Sequence, residues 1–206
     1  MLALGMTMLM TAGEFDLSVG SVFGFTPIVM WTLYNEGVTG LEAAFIISLL
    51  LAVLIGAVNG FMVTRLKIPS FLVTLGMLLV VRGTALYITD GFPQSRWTTD
   101  SPLLGILVGD FRIGEIRIFN SLLWFIAFSI ILGYILMLSR AGNWIQAAGG
   151  NPNSARARGV RVDRTKIMLF ILTAVISAWA GITSSIRVHH QLDPCGDGQP
   201  EQWDRV

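Results

Sequence analysis

Residues 41–64 read LEAAFIISLLLAVLIGAVNGFMVT, an apolar run whose only charge is Glu42. A bilayer core of about 30 Å needs roughly 20 mostly apolar residues in a helix, so this run is long enough to cross one. It ends at Arg65 and Lys67. Three further stretches meet the same test. Residues 70–89 begin just after Pro69, a residue suited to the first turn of a helix. Residues 120–139 and 166–186 follow. The last of these carries Ala174, Ser177, Ala178, Ala180 and Gly181. Small side chains let membrane helices approach closely, which predicts a place for it inside a bundle.

Composition agrees. Of 206 residues, 53% are hydrophobic and 13% charged, against about a quarter charged in a soluble domain. Mean hydropathy is +0.68. Cys195 is alone, so there is no disulfide framework and no thiolate cluster. His189 and His190 are adjacent and project in different directions, a poor start for a metal site, which on a helix takes His at i and i+4. The chain has no G-x-x-x-x-G-K-[ST] phosphate loop, no H-E-x-x-H helix and no G-x-S-x-G elbow. No catalytic residue, bound cofactor or metal is therefore expected. Nucleic acid is not expected either, because the basic residues lack interleaved aromatics.

The N-terminus is less regular. Residues 1–11 are apolar but too short to span, and they lack the basic start of a signal peptide. Residues 17–34 form a fifth hydrophobic stretch, interrupted by Gly20, Gly24 and Pro27. Between the two lies Ala12-Gly13-Glu14-Phe15-Asp16. Acids and non-helical backbone at membrane depth are tolerated only when buried in protein or lining a wet cavity. A broken or re-entrant element is predicted here, in an otherwise all-α, polytopic bundle.

Loop charges set the sidedness. Residues 140–166 hold Arg140, Arg156, Arg158, Arg161, Arg164 and Lys166 against one acid, Asp163. The positive-inside rule makes the loop 140–165 cytoplasmic. Counting back helix by helix puts residues 90–119 outside, with Asp90, Asp100, Asp110 and Glu115; Arg65 and Lys67 inside; and residues 35–40 outside.

The cytoplasmic loop is unusual for a linker. Gly149-Gly150-Asn151-Pro152 is a turn signal. Asn153 is placed to cap a short helix from Ser154 to Arg158, with Gly159 as its stop. The loop is either a docking helix at the cytoplasmic face or a basic anchor on anionic lipid headgroups.

Three ordered motifs make the resemblance specific. The loop AAGGNPNSARARGVRVDRTK, residues 147–166, is similar to the signature loop of the ribose-type ABC permease family. Gly13-Glu14-Phe15-Asp16-Leu17-Ser18-Val19-Gly20-Ser21 resembles that family's GGIDLSVGS motif near the translocation path. Asn59-Gly60, then KIPSFLVTLG at residues 67–76, Arg82-Gly83 and Thr89-Asp90-Gly91 resemble its NG…IPPFIVTLG…RG…TGG pattern. The resemblance implies the membrane subunit of a bacterial inner-membrane importer for a simple sugar of the ribose or xylose kind. It also implies a partner ATPase that binds the ATP, a periplasmic sugar-binding protein and a second permease copy, identical or not. Ala148, Gly149, Gly150, Asn151, Pro152, Ala155, Arg156 and Gly159 would couple to the ATPase, with Gly150 and Gly159 sensitive to substitution. Asp16, Ser18, Ser21, Asn59, Thr74 and Arg82 would line the path. Set against the family pattern, the chain is expected to be incomplete at both ends. Residues 189–206 read as an atypical polar tail, out of frame or at a fragment end.

Each candidate also has a plainer role. Asp16 hydrogen-bonds sugar hydroxyls or caps a helix starting at Leu17, and the two are compatible. Glu14 stands where the family has a small or apolar residue. Arg82 lies about 18 Å along its helix from Ser70; it is an intramembrane charge, a snorkelling side chain, or the partner of Asp90. Asn59 suits interhelical hydrogen bonding ahead of substrate contact. An aromatic belt explains most of Trp31, Trp124, Trp144 and Trp179, and sugars also stack on indoles. Two other functions compete: a secondary transporter with ion ligands at the break 13–20, or an accessory membrane protein with a lipid-binding basic loop.

Overall fold

The computed structural model describes residues 1–91, 102–113 and 116–192. In chain order it contains α1 (Leu2–Thr11), α2 (Val19–Asn35), α3 (Leu41–Arg65), α4 (Ser70–Thr89), α5 (Pro102–Val108), β1 (Asp110–Ile113), β2 (Ile116–Phe119), α6 (Asn120–Leu138), α7 (Arg140–Gly150), α8 (Pro152–Ala157) and α9 (Val162–Leu192). The two strands pair antiparallel, with Asp110 opposite Phe119 and Ile113 opposite Ile116. Everything else regular among the described residues is helical. Helices α3, α4, α6 and α9 (as far as Arg187) are long and apolar enough to cross a membrane. The protein is a multi-pass helical bundle of the membrane.

Helix α9 is the centre of it, with α1, α2, α3 and α7 packed on it. Its small residues do what their spacing predicts: Ala174, Ser177, Ala178, Ala180 and Gly181 are all buried. The tightest approach is to α3. A Cβ at Gly56 would lie 2.7 Å from the Ile171 Cα, and one at Gly60 would lie 2.8 Å from the Ile167 Cα. The Gly56-x-x-x-Gly60 spacing thus removes side chains from one face of α3 and lets two backbones touch. Leu9, Met30, Phe170, Ile176 and Ile182 fill the interior around this contact. Helices α4 and α6 lie outside it, exposing rows such as Leu72, Leu79 and Val80, or Ile126, Ile130 and Met137.

Helix α2 runs through Pro27 rather than stopping at it. Proline has no N–H, so the carbonyl four residues back, that of Phe23, loses its helical donor. That carbonyl turns toward α9 at Gly181, where a Cβ would sit 2.0 Å from the oxygen. The proline in one helix and the glycine in the other make a single packing feature. Higher up, the Trp31 indole N–H donates to Ser185 Oγ at 3.1 Å.

Four expectations need correction. The loop 140–165 is mostly helix, because its Ala-rich first half forms α7 and α9 already begins at Val162. At its other end α9 continues to Leu192, so residues 189–192 of the expected tail are helical; residues 193–206 lie outside the described residues. The tryptophans are not simply a belt. Trp31 is 7% exposed, and Trp179 packs among Phe45, Trp124 and Phe128 with ring centroids 4.9–5.9 Å away. Their rings fill gaps between helices instead of facing headgroups. The cap at 153 is corrected below.

Candidate functional site

The site begins where α1 stops. Gly13 has φ +80°, a left-handed value that glycine adopts without steric cost, and the chain leaves the helix before re-entering it at Val19. The Gly13 and Glu14 amides still return to the Met10 and Leu9 carbonyls of α1, but beyond them the helical acceptors run out, and in an apolar bundle buried amides must find others. Side chains of α4 and of the break itself supply them. The Phe15 N–H donates to Ser70 Oγ at 3.2 Å and the Leu17 N–H to Thr74 Oγ1 at 3.1 Å. The Ser18 N–H donates to Asp16 Oδ1 at 2.8 Å, and the Ser18 hydroxyl donates to the same oxygen at 2.6 Å. Asn59 Nδ2 donates to Ser18 Oγ at 3.0 Å, while Ser21 Oγ donates to the Leu78 carbonyl at 3.2 Å.

Five of the six residues expected along the path, Asp16, Ser18, Ser21, Asn59 and Thr74, therefore gather on the break and the helices beside it. Asp16, Ser18, Asn59 and Thr74 are 0–1% exposed. Asp16 caps a turn, not a helix at Leu17, since α2 starts two residues later. Asn59 makes the interhelical bond expected of it, and its Oδ1 remains buried without a partner. Arg82 is the exception. It is exposed on α4, away from this cluster, and no ion pair with Asp90 forms. Asp90 instead sits in a left-handed turn that ends α4.

Glu14 finds a role that composition did not indicate. Its carboxylate pairs with the Lys166 ammonium, and the two side chains are 12% and 15% exposed. By sequence Lys166 is a loop charge, the last residue of the motif 147–166 and the start of a span, with no partner indicated. The partners are 152 residues apart, and no local pattern joins them.

The basic segment after α6 is a helical hairpin resting against the same break. Helix α7 is capped by Ser139, whose Oγ accepts from the Gly142 N–H at 3.2 Å, and it buries Ile145 and Ala148. Gly149 and Gly150, expected in a turn, are its last residues. Asn151, not Asn153, caps α8: its Oδ1 accepts from the Asn153 N–H at 3.1 Å and the Ser154 N–H at 3.0 Å. The reason is Pro152, which occupies the first helical position where its missing N–H costs nothing, leaving the residue before it as cap. Gly159, at φ +84°, does end the segment. Ala155 packs with Ala148 and Val162 in a small buried cluster. Gly150, Asn151, Arg156 and Gly159 are exposed at the tip, and Pro152 is partly so.

Of the contacts that join this hairpin to the rest, two lead to the break and to the base of α9. A Cβ at Gly149 would lie 2.0 Å from the Thr11 carbonyl oxygen, so α7 abuts the end of α1 where the break begins. Ala155 meets Val162 at the base of α9, and one turn further on Lys166 holds Glu14 in the break. Hairpin, break and α9 form a closed triangle of contacts. Among the described residues no group of three or more His, Cys, Asp or Glu side chains comes together.

Residues 1–196 match the family described as branched-chain amino acid transport system / permease component. The chain is similar to the xylose/arabinose import permease protein XylH of Sulfolobus acidocaldarius, with 35% identity over 91% of this chain and 52% of that protein. It is similar to the ribose import permease protein RbsC of Escherichia coli, with 31% identity over 96% of this chain and 60% of that one. The autoinducer 2 import system permease protein LsrC of Photorhabdus luminescens is 30% identical over 96% of this chain and 58% of its own length. The chain thus spans about half to three fifths of the curated relatives it matches. No solved structure matches it significantly.

Proposed function

The chain belongs to the family of permease components described for branched-chain amino acid transport systems, and from that premise we propose that it is the membrane subunit of an ABC importer for a simple sugar. The family description names amino acids, but the relatives at 30–35% identity are named for xylose and arabinose, ribose and autoinducer 2. Small polyhydroxylated solutes are what these have in common. A path for such a solute needs hydroxyl and amide groups more than charge, and the break carries them in Ser18, Ser21, Asn59 and Thr74; Ser21 alone is partly exposed, and the others meet solute only when the break opens. Helix α2, with 17 residues and about 26 Å of length, serves as a fifth crossing element behind the break. The basic loop lies on the cytoplasmic side of the inner membrane by the positive-inside rule.

The observation that carries the proposal is the contact of Gly149 with the Thr11 carbonyl. In this reading a partner ATPase, which binds the ATP, presses on the exposed tip of the hairpin around Gly150, Asn151 and Arg156. Helix α7 passes the displacement to the end of α1 through Gly149, and Ala155 passes it to α9 through Val162. The broken element lies between these two, and the displacement opens its polar groups to the solute. A periplasmic sugar-binding protein delivers the sugar, and a second permease copy completes the path.

The test uses the chain reconstituted in proteoliposomes with its ATPase and binding protein, with ATP hydrolysis and labelled ribose, xylose and leucine uptake read together. Gly149→Ala forces α7 off α1 and is expected to abolish sugar uptake while ATP hydrolysis persists. Gly150→Ala meets no atom of the chain within 4 Å, so any loss of uptake it causes reports on the ATPase contact at the tip and not on the route from α7 to α1. Uptake unchanged in Gly149→Ala refutes the coupling route. Uptake of leucine and not of either sugar refutes the substrate class.

A further inference from the structure

On the side of α9 facing α6 and α7 lies an open groove of about 560 Å³. Its walls are almost wholly apolar: Ile135 from α6, Trp144 and Ile145 from α7, Met8 from α1, and Met168, Leu172 and Val175 among others from α9. At one end stand Arg161 and Arg164. We propose that this groove binds one phospholipid of net negative charge, its acyl chain along α9 and its headgroup phosphate between the two guanidinium groups. The proposal rests on the membrane placement argued above, with the start of α9 at the inner headgroups, and not on sugar transport.

Charge decides the occupant. Two acids lie near the base of α9 among the described residues, and both are already engaged. Asp163 accepts from Arg156 Nη2 at 2.7 Å, and Glu14 holds Lys166. Arg161 and Arg164 are exposed and have no ion-pair partner among the described residues. They also sit at the amino end of a long helix, where the dipole is positive and further cations are unfavourable. A phosphate between them relieves both conditions.

Length decides the same way. From Arg161 to Val175 the lining rises about 21 Å along α9 at roughly 1.5 Å per residue. Half of a bilayer core is about 15 Å, so the groove matches a headgroup plus one leaflet of chain. Met168 is 68% exposed and Trp144 is 44% exposed, which opens the groove sideways to lipid. Trp144 also places an indole at interface depth, where its ring is favoured.

The experiment places the chain in phosphatidylcholine nanodiscs doped with acyl-brominated phosphatidylglycerol. The Trp144 signal is the fluorescence difference between the wild type and Trp144→Phe. Quenching of that signal is expected to saturate at a low fraction of the anionic lipid. In Arg161→Gln/Arg164→Gln the half-saturating fraction is expected to rise about twenty-five-fold, at roughly fivefold per arginine near an anionic surface. Arg65→Gln/Arg158→Gln removes the same charge from two exposed positions that do not line the groove and is expected to leave it unchanged. Equal quenching by brominated phosphatidylcholine overturns the proposal. So does an unchanged curve in the groove variant, or an equal loss in the Arg65→Gln/Arg158→Gln variant, which would mean surface charge alone. Disulfide cross-linking of two chains through Met168→Cys without any quenching also overturns it, since a second copy would then fill the groove. None of these readouts depends on uptake, so a failed transport assay leaves the lipid result intact.

Discussion

The Glu14–Lys166 pair is a sharp test of how the broken element is held. Both charges are largely out of solvent, at 12% and 15% side-chain exposure, in a bundle with little else to stabilise them. Removing one partner of a buried pair typically costs about 3–5 kcal/mol, because the survivor is left uncompensated. The residual exposure here puts Glu14→Gln and Lys166→Met at the lower end, about 3 kcal/mol each, or more than a hundredfold in the folded ratio. Replacing both by apolar groups is a different perturbation, since no charge is left buried. Glu14→Leu/Lys166→Met is expected to recover most of the loss and to fall within about 1 kcal/mol of wild type. The assay is reversible unfolding in mixed micelles followed by circular dichroism, with hydrogen exchange over residues 12–18 as the local readout. Exchange there should accelerate in the single variants and return toward normal in the double one. Single losses below about 0.5 kcal/mol that add in the double variant would refute the reasoning, because a pair whose members act independently does not tie the break to α9.

Two further predictions concern stability. Asn151→Ala removes the acceptor for the Asn153 and Ser154 amides and should lower stability by about 1 kcal/mol, with accelerated amide exchange confined to α8. Asp16→Ala leaves the buried Ser18 N–H and hydroxyl without their acceptor and should cost about 1–3 kcal/mol in the same unfolding assay, while Asp16→Asn keeps an oxygen there and should cost less.

Much of the fold is written in local runs. Residues 41–64 and 70–89 are helical from end to end because an apolar segment in lipid has no other way to satisfy its amides. The break near Gly13 was legible for the same reason, since two carboxylates and a glycine cannot extend an apolar helix. Spacing gave less where two elements had to meet. Gly56-x-x-x-Gly60 signals a close partner, yet nothing in it names α9. Pro27 signals a freed carbonyl, yet the partner that accommodates it, Gly181, lies 154 residues away. The shift of cap from Asn153 to Asn151 was local, and the rule that places proline at the first helical position contains it.

The site divides along the same line. By itself the sequence determined a polytopic helical protein, its basic loop, its broken element and the polar residues at that element, since all of these follow from length, polarity and turn chemistry within a few residues. Only the tertiary structure decided that Thr74 and Ser70 serve the amides of the break, that Arg82 stands apart, that Gly149 and not Gly150 is wedged, and that Glu14 belongs to Lys166. Those are pairings across the bundle. They depend on how α9 is rotated and how deeply α1 is seated against it, and such quantities come from the packing of whole helices, not from any segment taken alone.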